Sequence, residues 1–174
     1  MHHAVEQLLQ LMPATPNGGD ALDWDRVDAQ FGWRLPSDYR DFVAAFGMGT
    51  INETLSIVTP PPSDYPYAHH LLYERTYPPA DGLLLWGATD CADDFYWRCE
   101  DADPDRWTVA VRTRSNGWHD YPHGMTDFLL QLLSGRIKTP LNADLGIDQP
   151  PTFESWREEV QQLRESDDSG SFGY

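Results

Sequence analysis

The sequence contains few cysteines and no long apolar run. Cys91 and Cys99, eight positions apart, are too few for an all-cysteine structural zinc site, and their spacing leaves a disulfide open without implying one. The longest uninterrupted apolar run, residues 42–46, is far shorter than the ~18 residues of a membrane helix. Residues 1–12 have neither the basic end nor the cleavage site of a signal peptide. We therefore expect a soluble, cytoplasmic chain that does not bind a membrane.

Positive charge is also scarce. The chain has 12 Lys and Arg against 28 Asp and Glu, which gives a formal net charge of −16. Such a surface repels nucleic acid and anionic lipid, so neither is expected as a direct partner. The surface attracts a basic protein and speeds the encounter with it. The same charge also keeps a chain in solution, so charge alone favours a basic partner only slightly.

Motifs of the common enzyme classes are missing. The sequence contains no G-x-S-x-G, P-loop, H-E-x-x-H or G-x-G-x-x-G pattern. Cys91 with His119 or His123 remains a candidate for thiol or metal chemistry, although nothing in the sequence places them together. Pro122 and Gly124 predict a turn over 119–123, which disfavours two histidines on one helical face. We expect no catalytic residue, no bound metal and no cofactor.

Aromatic residues are abundant, and apolar periodicity organises the chain. Seven Trp, eight Tyr and seven Phe in 174 residues are enough for one large core. Apolar stripes predict helices over 5–12, from Asp20 or Asp23 to Gly32, over Leu35–Gly49, over Met125–Leu133 with Thr126 as its cap, and over 152–164. Strand-like segments are Leu55–Val58, Leu83–Ala88, Phe95–Arg98 and Trp107–Arg112, and a short helix is predicted over Tyr67–Tyr77.

This order of elements predicts the fold class. Helices come first, strands follow, and helices close the chain, which is typical of an α+β protein. Short links between consecutive strands favour an antiparallel meander. We therefore predict a mainly antiparallel sheet with N-terminal and C-terminal helices packed on it. The predicted domain covers 1–135, a C-terminal extension over 136–165 packs one helix on the same domain, and 166–174 form a mobile tail.

Acidic residues are concentrated in the links of the predicted meander, close to several aromatic residues. Acid beside exposed aromatic side chains suits the binding of a basic protein, whereas turns also favour Asp for local reasons, and both interpretations stay open. Strand alternation places Tyr96 on the face opposite Phe95 and Trp97. The candidate partner-binding residues are Asp90, Asp93, Asp94, Tyr96, Glu100, Asp101, Asp103 and Asp105.

A resemblance to a known family rests on the run Phe31–Gly47. This run, FGWRLPSDYRDFVAAFG, resembles the N-terminal signature of the SUKH superfamily, in which Leu-Pro is followed by Asp-Tyr, an apolar helix and a glycine turn. The family's Asn-Gly after the helix is replaced by Gly-Met-Gly. The resemblance covers roughly 24–135, and its matching residues are Leu35, Pro36, Asp38, Tyr39, Phe42 and Gly47, with Trp86-Gly87, Tyr96-Trp97 and Phe128-Leu129 downstream.

The resemblance implies an α+β fold with a mixed but mainly antiparallel sheet. It also implies a binding role without catalysis. Many bacterial members are immunity proteins that neutralise a cognate polymorphic toxin, often a nuclease, and fungal relatives are scaffolds in cell-wall synthesis and signalling. We therefore expect an immunity protein for a basic toxin. The alternatives are a housekeeping scaffold or regulator that binds a non-toxin partner, and a small hydrolase or metal enzyme built on Cys91, His119 and His123.

Overall fold

A computed structural model describes residues 1–66 and 81–169, which form five helices, seven strands and a 3₁₀ turn at Pro104–Arg106. The sheet has the strand order β6-β5-β4-β3-β2-β1-β7, and all of its described pairings are antiparallel. The predicted α+β class is thus confirmed, and the predicted helix at Tyr67–Tyr77 lies outside the described residues. The elements are α1 (His3–Leu11), α2 (Trp24–Phe31), α3 (Ser37–Ala45), β1 (Gly49–Ile51), β2 (Leu55–Ile57), β3 (Leu83–Thr89), β4 (Asp93–Arg98), β5 (Thr108–Thr113), β6 (Gly117–Tyr121), α4 (Met125–Leu133), β7 (Phe153–Ser155) and α5 (Trp156–Ser169).

The ends of the early helices follow from local chemistry. Helix α2 begins after Asp23, whose side chain accepts the Arg26 N–H, and it ends at Gly32, whose φ of 74° is left-handed. Helix α3 stops at Ala45, four residues before its predicted end. The chain turns at Gly47, which has φ +78°, and continues as strand β1. The glycines that were expected to end a long helix therefore lead into a strand.

The core lies between one face of the sheet and helices α1, α3 and α4. Trp97 of β4 meets Tyr39 of α3 with ring centroids 4.9 Å apart, and Phe95 meets Phe128 of α4 at 6.1 Å. All four side chains are fully buried. Each large apolar side chain removed from water contributes about 1.5–3 kcal/mol, so this layer holds the helices on the sheet. We call the opposite face of β4, β5 and β6 the outer face.

Helix α4 has the predicted bounds but a different cap. Thr126 was expected to cap it, yet the N-cap residue is Gly124, which makes no side-chain cap bond. The cap comes from α3 instead: the Asp38 carboxylate accepts the Thr126 N–H at 3.1 Å and the Thr126 hydroxyl at 2.9 Å. The neighbouring Tyr39 hydroxyl donates to the Val58 carbonyl at 2.8 Å. The Asp-Tyr pair of the signature therefore joins α3 to α4 and to the end of β2.

The meander was predicted, but its last strand was not. Strands β3, β4 and β5 pair in sequence, and the Asn116-Gly117 turn leads back into β6. The turn predicted over 119–123 is wrong for residues 119–121, which continue β6 up to Pro122. Proline cannot donate to the ladder, so the strand ends there. The meander thus has one strand more than was predicted.

The segment 136–151 crosses the end of the sheet where three hairpin turns lie. Asn52 lies in the β1–β2 turn, and its side-chain amide donates to the Leu145 carbonyl at 2.7 Å. Asn116 lies in the β5–β6 turn, and its side-chain amide donates to the Pro140 carbonyl at 2.9 Å. Beside the β3–β4 turn, the Asp93 carboxylate accepts backbone N–H groups of this segment. These bonds connect hairpins that are not adjacent in sequence.

The last elements complete the sheet. Phe153, predicted to lie on a helix, belongs to strand β7, which pairs with β1. Helix α5 then runs to Ser169, so residues 166–169 of the predicted tail are helical, and 170–174 lie outside the described residues. The predicted C-terminal extension therefore contributes a strand to the sheet and a helix that directly follows this strand. None of the described helices combines the length and apolarity that a membrane span requires.

A buried carboxylate holds α5 in place. The Asp20 side chain has no exposed surface and accepts three hydrogen bonds. Its donors are the Met48 N–H at 2.8 Å, the Trp156 indole N–H at 3.1 Å and the Arg157 guanidinium at 2.7 Å. Asp20 lies in the loop between α1 and α2, so one side chain joins the N-terminal half, strand β1 and α5.

Candidate partner-binding surface

The predicted acidic cluster is divided between two ends of the sheet. Asp90 lies in the turn that precedes β4, whereas Glu100, Asp101, Asp103 and Asp105 lie in the link that follows it. Strand β4 has six residues, which extend over ~20 Å at a rise of about 3.3 Å each. The predicted residues therefore do not form one patch. We call the segment 100–106 the acidic link.

Asp93 must be removed from the predicted binding residues. It is fully buried, and its carboxylate accepts the Thr89 hydroxyl at 2.9 Å. It also accepts the backbone N–H groups of Asn142 at 2.8 Å and Ala143 at 2.9 Å. These bonds tie the 136–151 segment to the β3–β4 hairpin, so the role of Asp93 is to hold the fold together. Its place in an acid-rich turn gave no sign of this.

Much of the charge of the acidic link is used within the fold. Asp105 accepts the Arg34 guanidinium at 2.9 Å and both the N–H and the hydroxyl of Ser37, at 2.6 and 2.8 Å. Arg34 also lies 3.6 Å from Asp103. Burial alone would raise the pKa of Asp105, but the bonds from Arg34 and Ser37 outweigh it and hold that pKa below its usual value. Asp105 thus fastens the link to the start of α3.

The other members of the link differ from one another. Asp101 lies 3.3 Å from Arg106, and its carboxylate accepts the Asp103 N–H at 2.9 Å. Glu100 is exposed, and among the described residues no Arg or Lys lies within ion-pair distance of it. The local interpretation, in which aspartates build the turn, therefore accounts for Asp101, Asp103 and Asp105. Glu100 keeps its charge available to a partner.

Two predicted residues, Asp94 and Tyr96, lie on the outer face. Their register neighbours are Arg112 and Ala110 on β5, which in turn pair with Trp118 and Asp120 on β6. Side chains at these paired positions point to the same side of the sheet. Tyr96 lies opposite Phe95 and Trp97 as predicted, but its side chain is only 8% exposed, so it supports the outer face from below and does not itself offer the predicted binding surface. The polar and aromatic residues of the outer face are Asp94, Tyr96, Arg98, Arg112, Trp118 and Asp120.

Trp118 is the central exposed side chain of this face. It is 44% exposed, although it lies among ordered neighbours. The Tyr96 ring is 5.5 Å from it, and the guanidinium carbons of Arg98 and Arg112 lie 5.8 and 5.9 Å from its ring centroid. Cations at this distance attract the aromatic ring. The indole is therefore held in position before any partner arrives.

A carboxylate fixes each of the two arginines. Arg98 is paired with Asp120, and this hydrogen bond raises the pKa of the Arg98 guanidinium. Arg112 lies 2.8 Å from Asp94. The two pairs flank Trp118, and their opposite charges cancel locally. A shallow depression lined by Arg98, Thr108, Asp120 and Glu100 connects the outer face to the acidic link, so Glu100 adds a negative charge at its edge beyond the Arg98–Asp120 pair.

These features suit protein binding. Trp, Tyr and Arg are the residue types enriched among the few side chains that dominate binding energies. A rigid, exposed indole loses little conformational entropy when it is covered. Sequence reasoning missed Trp118, although one signal was present. The run Trp-His-Asp-Tyr after Asn116-Gly117 has the form of a hairpin strand, and alternation would have put Trp118 and Asp120 on one face.

The residues considered for catalysis are engaged separately. The Cys91 thiol lies 3.5 Å from the Asp90 carboxylate, and this contact raises its pKa, whereas a nucleophilic cysteine needs a lowered one. The His119 ring bonds the Asn116 carbonyl at 3.0 Å, and the His123 ring lies 3.4 Å from the Gln131 amide. In residues 1–66 and 81–169, no three His, Cys, Asp or Glu side chains are grouped in a way that could hold a metal.

The two cysteines are free thiols on opposite ends of β4. A disulfide needs Cα atoms within about 7 Å, and β4 separates these residues by ~20 Å. The disulfide that the sequence left open therefore cannot form in this fold. Burial raises the pKa of Cys99 to about 12, so this thiol stays protonated and unreactive.

Comparisons of the chain with protein-family models, with curated proteins and with solved structures found no match.

Proposed function

We propose that this chain is a cytoplasmic, non-enzymatic binding protein of the immunity type, which neutralises a basic partner encoded beside it. The observation that carries the proposal is the exposed, pre-ordered Trp118 next to Tyr96 on the outer face. The core-forming helices α1, α3 and α4 lie on the other face, and 44% of the Trp118 side chain is exposed and can contact a partner. The resemblance to the SUKH superfamily supports the immunity role, and the SUKH assignment itself remains part of the proposal.

The charge of the chain supports a basic partner. A formal net charge of −16 accelerates the approach of a positively charged protein by long-range attraction. A nuclease toxin exposes a basic cleft for its anionic substrate. Glu100 can enter such a cleft in the place of a phosphate group, with charge-assisted hydrogen bonds to its Lys and Arg side chains. Trp118 then supplies the apolar contact that keeps the complex together.

Replacing Trp118 by Ala should weaken binding to the purified product of the adjacent gene by about thirtyfold, near 2 kcal/mol. The indole is 44% exposed and its contacts with Tyr96, Arg98 and Arg112 lie at the surface, so the variant should stay folded with a melting temperature lowered by only a few degrees. Isothermal titration calorimetry at low and high salt measures the affinity. Co-expression with the same product measures protection of the cell, which the Trp118→Ala variant should lose.

Leu163→Ala is the matched control for this experiment. Leu163 is 51% exposed, comparable to Trp118, but it lies on α5 and away from the outer face. Its replacement should leave both affinity and protection unchanged. If the unmodified protein neither binds the adjacent product nor protects against it, the immunity role is wrong. Binding to a product without toxicity would instead favour the scaffold alternative.

A further inference from the structure

The two edges of the sheet differ in how open they are. Strand β7 has three residues, and the N–H of Ser155 already donates to the Glu158 side chain at 3.0 Å. Strand β6 has five residues, and it pairs with β5 alone among the described strands. Its sequence, GWHDY, contains no Pro or Lys, and Asp120 is its one charged residue with which an open edge could be protected. Within residues 1–66 and 81–169, no strand pairs with the outward side of β6.

The hydrogen-bond pattern shows which backbone groups line that edge. The Val109 N–H donates to the His123 carbonyl at 3.0 Å, so the backbone of Val109 faces the β6 side of β5. Every second residue of an antiparallel strand bonds the same neighbour. Val111 therefore also faces β6, and its register partner His119 faces back towards β5.

The residues on either side of His119 must then face the other way. The N–H and C=O groups of Trp118 and Asp120 point to the free edge. The side chains of these same two residues stand on the outer face, beside Tyr96 and Arg98. One short stretch thus offers free backbone donors and acceptors together with an aromatic ring and a carboxylate.

We infer that β6 takes up an extended segment of the basic partner as an eighth strand, bonded to the backbone of Trp118 and Asp120. This inference rests on the proposed function and specifies how the partner is held. In strand addition, main-chain hydrogen bonds provide affinity and alternate side chains provide specificity. A Lys or Arg on the outer-face side of the added strand can lay its aliphatic stem on Trp118 and direct its charge to Glu100.

The charge of the chain favours a basic partner over a second copy of this chain as the occupant of the β6 edge. Two chains that each carry −16 repel one another at low salt. Asp120 on the free edge is paired with Arg98, so the local negative charge comes from Glu100 in the adjoining depression. A positively charged strand is attracted to this edge, whereas another acidic chain is not.

Asp120→Pro and Asp120→Ala form a matched pair for testing this inference. Both variants lack the carboxylate, but only proline lacks the outward N–H, which the β5–β6 ladder does not use. We expect the Asp120→Pro variant to bind the product of the adjacent gene about tenfold more weakly than the Asp120→Ala variant. Hydrogen exchange in the unmodified complex provides a second measurement. The amides of Trp118 and Asp120 should slow on binding, while His119 should be protected already.

The outcomes separate this inference from the proposed function. Equal affinities for the two variants, with unchanged exchange at Trp118 and Asp120 in a complex that forms, would overturn strand addition and leave the binding role intact. Failure of the unmodified protein to bind the product would remove the proposed function, and strand addition would go with it. Sedimentation of the free protein as a dimer that Asp120→Pro dissociates would show that a second copy uses the edge, and this would also overturn the inference.

Discussion

Replacing Asp20 by Ala is expected to lower the free energy of unfolding by about 3 kcal/mol. The substitution leaves the Met48 N–H and the Trp156 indole N–H without their acceptor and the Arg157 guanidinium without its buried counter-ion. Breaking a buried ion pair by removing one partner costs about 3–5 kcal/mol. The lower value applies because Arg157 is 30% exposed and can be rehydrated. Urea denaturation followed by circular dichroism measures the loss.

Asp64→Ala tests whether the burial of Asp20 is the reason for the large loss of stability expected from Asp20→Ala. Asp64 lies 3.4 Å from the same Arg157 guanidinium, but its side chain is 61% exposed. Exposed ion pairs contribute about 0–1 kcal/mol, so this variant should differ from the unmodified protein by less than about 0.5 kcal/mol. Similar losses for the two variants would contradict the role assigned to Asp20. Such a result would mean that any carboxylate near the Arg157 charge stabilises the fold equally, whether it is buried or exposed.

The second large effect is expected for Asp93→Ala, again about 3 kcal/mol in the free energy of unfolding. The buried carboxylate accepts from Thr89, Asn142 and Ala143, and hydrogen bonds to a charged acceptor contribute more than neutral ones. Without it, the 136–151 segment loses its bond to the β3–β4 hairpin. Thermal and urea unfolding measure the change.

Asp90→Ala is the control, because Asp90 is exposed in the same acidic turn. Its replacement should change stability by less than about 0.5 kcal/mol. The pair also separates folding from binding. A folded Asp93→Ala variant should retain the affinity of the unmodified protein for a partner, since Asp93 does not reach the surface. A large loss of affinity at unchanged stability would contradict the structural role of this residue.

The sequence predicted the elements that have a strong pattern and clear ends. Helix α4 agrees with its prediction at both ends because Gly124 and Gly135 flank an uninterrupted apolar stripe. The meander was predicted because strands β3 to β5 are five residues or longer and are separated by acidic turns. Local preference and tertiary packing agree in these regions, so a single sequence is sufficient to find them.

Short strands escaped prediction for a physical reason. Strands β1 and β7 have three residues each, too few for alternation to be visible, whereas the equally short β2 was found because Leu55, Ile57 and Val58 lie among Thr and Ser. Phe153 and Trp156 are three positions apart and Val160 follows four later, a spacing that also suits a helix. Pairing with β1 decided the conformation of Phe153, and that pairing joins residues about a hundred positions apart. Such contacts leave no local trace in the chain.

The candidate site was predicted only in part. The acidic residues are close in sequence, but the extended strand β4 runs between them, so Asp90 and Glu100 lie at its opposite ends. Asp94 and Tyr96 were chosen as binding residues, and their outward position follows from alternation. Trp118 reaches them across two strand pairings, Asp94 with Arg112 and Arg112 with Trp118. That register could not be derived without knowing that β6 exists.

The signature run has a structural explanation that is independent of any partner. Asp38 caps α4 through Thr126, and Tyr39 bonds Val58 while its ring packs on Trp97. A Leu-Pro-x-Asp-Tyr pattern can therefore reflect the way in which two helices and a sheet are joined. The resemblance bears first on the fold, and evidence for a partner has to come from the outer face.

The difference between the two sheet edges limits how the protein can assemble. Fibrils grow when each molecule offers two complementary edges, so that every addition exposes a new one. In the described part of the chain, β7 is only three residues long, and one of its outward donors, the Ser155 N–H, is taken by the Glu158 side chain. Very short edge strands are one way in which natural proteins limit edge-to-edge pairing. A molecule that has gained a strand at β6 therefore presents a poorer template at its other edge, which disfavours open-ended stacking into amyloid-like fibres.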